Sequence, residues 1–279
     1  MYKHAPIAIY DSGIGGLAIT KVIKALLPEE TVHYIGDTKH LPYGEKNEME
    51  LSGYVTKVAN FCLSKGYKLL VIACNTATAA AAHFLPSYLK AMGTEIGIIN
   101  VIDPVIAHIH AANCYKQIAL IGTNYTVASG IYTERLRTTG ITLTTLATPL
   151  LVPMVEACFN GSKINRSLLD HYLNQIAVPH LDALIPACTH YLFLKIALKN
   201  FLKKRYAKEI KVIDAAKLTA LAVKQWLTTH NLLNQKASKP RDCFMATALT
   251  PSFINACKQL FGKTPIAINL NGVDLSLSI

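Results

Sequence analysis

The chain lacks the long apolar segment that a membrane-spanning helix needs. Such a helix takes about 18 consecutive apolar residues. No run of that kind occurs in the 279 residues, although 51% of them are hydrophobic. The first residues, Met1 to Pro6, lead directly into a predicted strand rather than into an apolar signal segment. We therefore expect no membrane association and a cytoplasmic location, with enough apolar residues to form the cores of two domains.

The spacings of common metal and cofactor sites are also missing. Seven cysteines are present without any Cys-x-x-Cys pair, and Cys188-x-His190 has no second ligand pair, so we expect reduced thiols and no metal site. The turn from Asp11 to Gly16 lacks the full Gly-x-Gly-x-x-Gly spacing, but a helix start of this kind could cradle an anion. No pyridoxal-anchoring lysine motif stands out.

Two of the cysteines occupy matching positions. Cys74 and Cys188 each follow a short apolar run that predicts a buried strand, and each precedes small polar or ionisable residues. A helix predicted from 77 to 85 would begin beside Cys74, and the positive end of a helix lowers the pKa of a nearby thiol. We expect the other five cysteines to be buried structural thiols: Cys62, Cys114, Cys158, Cys243 and Cys257.

A self-similarity at an offset of 111 residues suggests two related halves. Residues 7–12 match 118–123, residues 31–36 match 142–147, and residues 99–103 match 210–214. Apolar strands alternate with helical stripes, which predicts an α/β fold with mainly parallel sheets. We expect two similar, pseudo-symmetric domains, 1–98 plus 210–279 and 99–209, and a surface loop at 234–242.

Ligands of such folds bind beyond the carboxyl ends of the strands. Equivalent strand ends of two facing halves would bring Cys74 and Cys188 to opposite sides of one cleft. Opposed acid and base groups are what inversion of a stereocentre requires. The same rule places these further residues near the cleft: Asp11, Ser12, Asp37, Thr123, Glu156 and His190.

Four motifs occur in order along the chain: Asp11-Ser12-Gly13-x-Gly15-Gly16, Gly36-Asp37 followed by Pro42-Tyr43-Gly44, Ala73-Cys74-Asn75-Thr76, and Cys188-Thr189-His190-Tyr191. With these motifs the chain resembles glutamate racemases of the cofactor-independent aspartate/glutamate racemase family. The similarity extends from Ile7 to about Leu275. It implies two α/β domains with the active site between them, no cofactor, a homodimer, and conversion of L-glutamate to D-glutamate for bacterial peptidoglycan.

The resemblance also implies residue roles. Cys74 would take the α-proton from D-glutamate with help from Asp11, and Cys188 would take it from L-glutamate with help from His190 and Glu156. The substrate would be held by Asp11, Ser12, Pro42, Tyr43, Gly44, Asn75, Thr76, Thr123, Thr189 and His190. Electrostatic stabilisation from helix starts, hydroxyls and amides in a dry cleft would then have to support the carbanion.

Plainer structural roles stay open for several of these residues. Asp11 could cap a helix, His190 could be a core or capping residue, Glu156 could be an exposed helix carboxylate, and Asp37 could fix a turn. The chain also departs from the family at four positions: Lys39 and His40 replace the customary alanine and arginine, Ala187 a glycine, and Leu192 a proline. These changes could alter loop contacts and rate.

Basic residues outnumber acidic ones by 28 to 17, which gives a net charge of +11. Part of the excess forms a local run: Lys199, Lys203, Lys204, Arg205, Lys208 and Lys211. Such a run is usually a solvated helix face, but a basic field also attracts dianionic glutamate or nucleic acid. Two alternatives therefore stay open, a racemase of aspartate or another acidic amino acid and a nucleic-acid or topoisomerase-associated binding protein.

Overall fold

The computed structural model describes residues 2–93, 96–234 and 240–270, which form two parallel sheets covered by helices. The first sheet has the strand order β10-β9-β2-β1-β3-β4. Its strands are β1 (Ile7–Asp11), β2 (Val32–Gly36), β3 (Leu69–Ile72), β4 (Gly97–Asn100), β9 (Cys243–Ala246) and β10 (Ile266–Ala267). All its paired strands are parallel. The predicted α/β class is confirmed.

The second sheet has the order β6-β5-β7-β8. Its strands are β5 (Gln117–Gly122), β6 (Thr142–Ala147), β7 (Ala183–Ala187) and β8 (Lys211–Val212), again all parallel. This order repeats the β2-β1-β3-β4 part of the first sheet. The 111-residue offset therefore corresponds to equivalent strands, with β1 matching β5 and β2 matching β6.

Twelve α-helices connect the strands within the described residues. They are α1 (Gly16–Leu26), α2 (Glu48–Ser64), α3 (Asn75–Ala81), α4 (Leu85–Ala91), α5 (Ile102–Ala112), α6 (Asn124–Ala128), α7 (Ile131–Leu136), α8 (Leu151–Cys158), α9 (Arg166–Asn174), α10 (Lys195–Arg205), α11 (Ala215–Thr229) and α12 (Pro251–Phe261). Short 3-10 helices span Thr38–His40, Tyr43–Glu45, Arg137–Thr139 and Thr189–Leu194. None of the described helices is long and apolar enough to cross a membrane.

Side-chain alternation along the strands divides the core in two. Ile7 and Ile9 point into a core that continues through the second half of the chain, whereas Ala8 and Tyr10 point into a core on the other face of the first sheet. Both faces of the first sheet are therefore buried, which explains why its strands read as continuous apolar runs.

Several expectations need correction. The helix predicted from 77 to 85 ends at Ala81, and a second helix starts at Leu85 with Pro86 in its first turn. Strand β8 pairs with β7, so the second sheet extends past the expected boundary at 210. Residues 235–239 of the predicted loop lie outside the described residues. The division into two domains stays a prediction.

The seven cysteines are free thiols, but not all are buried. Cys114 is exposed, because it lies in the connection between α5 and β5 rather than in an element that packs on a sheet. Cys158 and Cys243 are partly buried, and Cys62 and Cys257 are buried as expected.

Candidate active site

Both predicted thiols line one cleft at the carboxyl ends of the two sheets. Cys74 follows β3 and Cys188 follows β7, and these strands occupy equivalent positions in the two sheets. Only 5% of Cys74 and 6% of Cys188 is exposed to solvent. One thiol from each sheet can therefore reach the same small ligand.

Burial keeps the Cys74 thiol protonated. Burial, followed by the negative charge of Asp11, raises the pKa of Cys74 to about 12, although the Ala77 amide and the Ser12 hydroxyl oppose this. Cys74 caps α3, and its Sγ accepts a hydrogen bond from the Ala77 amide at 3.4 Å and lies 3.7 Å from Ser12 Oγ. The helix start expected beside Cys74 is present. The expectation of a lowered pKa is wrong for Cys74, because burial raises the pKa more than the hydrogen bond from the Ala77 amide lowers it.

Cys188 has a different partner. Its Sγ lies 3.8 Å from Nδ1 of His190, and Nε2 of the same ring lies 2.8 Å from Oε1 of Glu156. Burial lowers the pKa of His190, but its hydrogen bonds with Cys188 and Glu156 outweigh burial and hold that pKa well above its usual range. Burial opposes ionisation of Glu156 too, yet the contact with His190 holds its pKa below the usual range. A protonated His190 places a positive charge beside Cys188.

The glycine-rich turn holds the carboxylate of Asp11. Oδ2 of Asp11 accepts hydrogen bonds from the amides of Gly13 at 3.2 Å and Gly16 at 3.0 Å, while Oδ1 accepts one from Thr189 Oγ1 at 3.1 Å. Two amides of the expected anion cradle are thus directed to a side chain of the same chain. Asp11 links the turn after β1 to the turn after β7.

Hydroxyl and amide groups form the remaining polar wall. Oγ1 of Thr76 lies 2.9 Å from Oγ1 of Thr123 and 3.2 Å from that of Thr126. Oδ1 of Asn75 accepts a hydrogen bond from Tyr132 at 2.7 Å. Because Asn75 and Thr76 follow β3 and Thr123 follows β5, these bonds join the two halves above Cys74.

The structure brings almost all of the predicted site residues together. The predicted residues that line the cleft are Ser12, Pro42, Tyr43, Gly44, Cys74, Asn75, Thr76, Thr123, Cys188, Thr189 and His190. Asp11 and Glu156 lie behind this layer and contact Thr189 and His190, respectively. The roles of these residues stay predictions.

Asp37 is not part of the cleft, contrary to expectation. It borders a neighbouring cavity together with Lys39, His40 and Lys57. Its carboxylate accepts a hydrogen bond from Tyr43, which does line the cleft.

Sequence reasoning missed several residues that complete the site. The further lining residues are Leu41, Glu45, Pro149 and Val152. Tyr34 donates a hydrogen bond to the Gly13 carbonyl at 2.7 Å and supports the turn that holds Asp11. Leu41 precedes Pro42-Tyr43-Gly44, so proximity to that motif was its one signal. Tyr34 lies within a strand and had none.

Among the described residues, no group of three or more His, Cys, Asp or Glu side chains is placed to hold a metal ion. Part of the basic run is engaged in local contacts: Lys208 Nζ lies 2.7 Å from Asp182 Oδ1, and Arg205 donates to Asn174 at 2.8 Å. Binding of nucleic acid by this run stays an untested prediction.

Comparison with known proteins defines the class of enzyme. The sequence profile described as Asp/Glu/Hydantoin racemase matches residues 15–223, which is more than half of the chain. The chain belongs to this family. It is an amino-acid racemase, an isomerase.

More particularly, its relatives include many glutamate racemases. It is 36% identical to the glutamate racemase of Aquifex aeolicus over 221 residues, which cover 79% of this chain and 83% of the relative. It is 29% identical to glutamate racemase 3 of Caldanaerobacter subterraneus subsp. tengcongensis over 276 residues, which cover 98% and 97% of the two chains. The resemblance stated from the sequence is confirmed.

Solved structures agree with this assignment. The glutamate racemase of Thermus thermophilus in complex with β-chloro-D-alanine superposes with a TM-score of 0.81 at 33% identity and covers 96% of this chain and 98% of its own. The glutamate racemase of Francisella tularensis subsp. tularensis in complex with D-glutamate gives 0.84 at 26% identity, with coverages of 96% and 99%. The aspartate racemase of Picrophilus torridus, at 20% identity and a TM-score of 0.57, shares the fold.

Proposed function

We propose that the chain interconverts L- and D-glutamate by moving the α-proton between two thiols. The observation that carries this proposal is that Cys74 and Cys188 line one cleft from equivalent strands of two sheets and have neighbours of opposite charge. Relatives named glutamate racemases, one of them solved with D-glutamate, support glutamate as the substrate.

The proposed reaction has two balanced proton transfers. A thiolate removes the α-proton from one face of the substrate: the C–H bond breaks, an S–H bond forms, and the electron pair stays on Cα next to the carboxylate. The opposite thiol then donates its proton to the other face, so its S–H bond breaks and a new C–H bond forms with inverted configuration. After one turnover the two cysteines have exchanged protonation states.

The charges favour one assignment of the two bases. Cys74 is a thiol in the resting site because burial and Asp11 raise its pKa, while Cys188 lies beside the positive charge of a protonated His190. We therefore propose that Cys188 takes the α-proton from L-glutamate with His190 and Glu156 assisting. Cys74 takes it from D-glutamate, assisted by Asp11. This agrees with the roles implied by the resemblance.

The remaining lining residues would bind the substrate's carboxylates and amino group. The donors and acceptors are Ser12, Tyr43, Asn75, Thr76, Thr123, Thr189 and His190, while Pro42 and Gly44 shape the wall. Buried donors directed at the substrate would stabilise negative charge on the carbanion far more than water does. We propose that the D-glutamate serves bacterial peptidoglycan and that the enzyme is a cytoplasmic homodimer.

The two-thiol proposal is tested by α-deuterium incorporation. Purified protein is incubated in D2O with L- or D-glutamate, without added cofactor or metal, and the products are analysed for deuterium and chirality. The parent is expected to give deuterated, inverted product. Cys74→Ser and Cys188→Ser should each lose inversion. Because Cys188 alone can still exchange the α-proton of L-glutamate on one face, Cys74→Ser should show slow exchange of the L-enantiomer only.

The matched control is Cys114→Ser, since Cys114 is exposed and lies outside the cleft. It should behave like the parent. Inversion that survives in both active-site variants would rule out the two-thiol mechanism. Faster exchange with aspartate than with glutamate would show that aspartate, rather than glutamate, is the preferred substrate. No exchange with any acidic amino acid would redirect attention to nucleic-acid binding by the basic run, which a steep salt dependence of affinity would reveal.

A further inference from the structure

The loop that closes one side of the cleft is fixed by a buried network that the proton transfers do not use. Residues 41–45 line the cleft, and Tyr43 anchors this loop in the first half of the chain. Tyr43 donates a hydrogen bond to Asp37 Oδ2, and its hydroxyl also bonds to that of Tyr10 at 2.5 Å. Asp37, Tyr10 and Tyr43 are 1%, 0% and 2% exposed. A charged group buried this deeply requires several partners.

The direction of these hydrogen bonds is determined by chemistry. Burial, with the negative charge of Asp37 contributing, raises the pKa values of Tyr10 and Tyr43 well above their usual range, so both phenols keep their single proton. The Tyr43 hydroxyl therefore donates its hydrogen bond to Asp37 and accepts one from the Tyr10 hydroxyl. Asp37 Oδ1 is occupied by Thr247 Oγ1 at 2.7 Å. The carboxylate therefore joins the ends of β2 and β9 to the loop.

Aromatic stacking supports the same position. The ring of His40 stacks on Tyr54 with centroids 4.2 Å apart, and Tyr54 stacks on Tyr43 at 5.5 Å. Nδ1 of His40 lies 2.8 Å from Asp37 Oδ1. Both routes, the carboxylate and the ring stack, hold Tyr43 from the side that faces away from the cleft.

The other end of the loop touches the second half of the chain. A Cβ added to Gly44 would lie 2.6 Å from Cβ of Thr123, and Glu45 Oε1 accepts a hydrogen bond from Asn124 at 3.0 Å. The loop thus spans the cleft between an anchor in one half and a close contact in the other. A shift of Tyr43 would move the wall against Thr123 and change the space for the substrate.

We infer that Asp37 is a positioning residue that sets substrate affinity by holding Tyr43, and that His40 assists it through its contacts with Asp37 and Tyr54. The inference rests on the proposed function only for the identity of the substrate. The sequence left open whether Asp37 only fixes a turn or also has a functional role. In this inference Asp37 does both, because the turn that it fixes positions Tyr43 in the wall of the cleft.

The first measurement needs no substrate. Amide hydrogen exchange of residues 41–46 is compared in the parent, Asp37→Asn and Tyr43→Phe. Loss of a hydrogen bond to a charged group typically changes an equilibrium by about tenfold or more. Exchange in this loop should accelerate by about tenfold in both variants. Tyr67→Phe is the matched control, because it removes a hydroxyl that bonds to His33 at 2.8 Å in the same half, away from the cleft. It should leave the loop unchanged.

The second measurement separates binding from chemistry. In Asp37→Asn, the KM for both enantiomers should rise by about tenfold while kcat stays within about threefold, because binding is weakened without removal of a reacting group. Asp37→Asn combined with Tyr43→Phe should be no worse than Tyr43→Phe alone. His40→Ala, which removes the stacking on Tyr54 and the contact with Asp37, should raise KM in the same direction as Asp37→Asn.

The outcomes are distinct. Unchanged loop exchange and KM in folded Asp37→Asn would overturn the inference, as would effects that add in the double variant. If Asp37→Asn does not fold, Thr247→Val removes one of the carboxylate's donors and must show accelerated loop exchange, or the inference fails. A parent that has no activity on glutamate, together with accelerated loop exchange in the variants, would overturn the proposed function and retain the positioning role.

Discussion

Cys74 and Cys188 end equivalent strands but face neighbours of opposite charge. Burial and Asp11 raise the pKa of Cys74, whereas Sγ of Cys188 lies 3.8 Å from Nδ1 of His190, whose pKa is held well above its usual range. At the scale of single residues, the two halves of the site are therefore unequal. In the proposed two-thiol mechanism, the proton would rest on Cys74 between turnovers, because burial and Asp11 raise the pKa of that thiol.

It does not favour one enantiomer overall. The free energies of L- and D-glutamate in water are equal, so the ratio of the two kcat/KM values must be one at every pH. The unequal charges can give the two directions different kcat values, but the KM values must then differ by the same factor. Kinetic measurements should therefore report the individual constants for both enantiomers.

Glu156→Gln tests the charge on His190. In the parent, the contacts with Cys188 and Glu156 hold the pKa of His190 well above its usual range, so His190 stays protonated at neutral pH. The amide cannot supply the negative charge, and the pKa of His190 should fall. His190 loses its proton as the pH rises through its pKa. Because that pKa is lower in the variant, the loss of activity at alkaline pH should begin at a lower pH. The pH dependence of kcat from pH 6 to 10 checks this.

Glu209→Gln, which changes an exposed carboxylate, is the control and should reproduce the parent profile. An alkaline limb that stays in place in Glu156→Gln would show that the protonation of His190 does not limit the reaction.

The turn after β1 shows how an element can require glycine without an unusual backbone angle. A Cβ on Gly15 would lie 2.2 Å from Thr189 Oγ1 and 2.7 Å from the His190 amide nitrogen. These atoms belong to the turn after β7, so the methyl group would push the turns after β1 and β7 apart. The glycines here serve close approach of the two halves.

Gly15→Ala should therefore lower kcat/KM by about 100-fold or more, since a displacement of about 1 Å of reacting groups has an effect of that size. The measurement is kcat/KM with both enantiomers, alongside the thermal midpoint. Gly53→Ala is the matched control: it lies in α2 with no atom within 4 Å of its added Cβ. It should keep full activity and gain about 0.5–1 kcal/mol of stability. Full activity in Gly15→Ala would contradict this account of the turn.

The order of the elements was largely predictable from the sequence. The repeated apolar segments matched β1 with β5 and β2 with β6, and the strand-end rule then placed Cys74 and Cys188 in one cleft. The end of α3 at Ala81 was not predictable from helix propensity, because alanine continues the helical pattern beyond it.

The supporting contacts were not predictable, because they join residues far apart in the chain. Thr247 bonds to Asp37 across 210 positions, and Thr189 bonds to Asp11 across 178. The pKa of Cys74 depends on complete burial and on a carboxylate 63 residues earlier, and local sequence contains neither. Motifs indicate which residues react, and the folded structure determines how they are held.

At the scale of the whole molecule, a buried ion pair joins segments at the opposite edge of the first sheet from the cleft. Lys68 Nζ lies 2.5 Å from Glu30 Oε2, and neither side chain is more than 2% exposed. Lys68 also donates to the Lys3 carbonyl at 2.7 Å and the Leu232 carbonyl at 2.9 Å, while Glu30 accepts from the Asn234 amide at 2.8 Å. Four distant segments meet there.

Lys68→Met should lower the free energy of unfolding by about 3–5 kcal/mol, because it leaves Glu30 buried without its charge partner. Adding Glu30→Gln should recover part of the loss. Urea unfolding monitored by circular dichroism measures both. Lys195→Met is the control: it breaks a half-exposed pair with Asp214 and should cost at most about 1 kcal/mol. Equal losses in the two lysine variants would show that burial does not determine the effect.

The common strand order of the two sheets suggests an origin from a duplicated half-length chain. Each half contributes a single thiol to the cleft, and the proposed inversion takes two, so a half-length ancestor of this design could have built the cleft only by pairing with a second copy of itself. Such a pair would have had identical charges around both thiols. Gene fusion frees the copies to diverge, and the carboxylate beside Cys74 and the imidazole beside Cys188 are differences that an assembly of identical subunits cannot have.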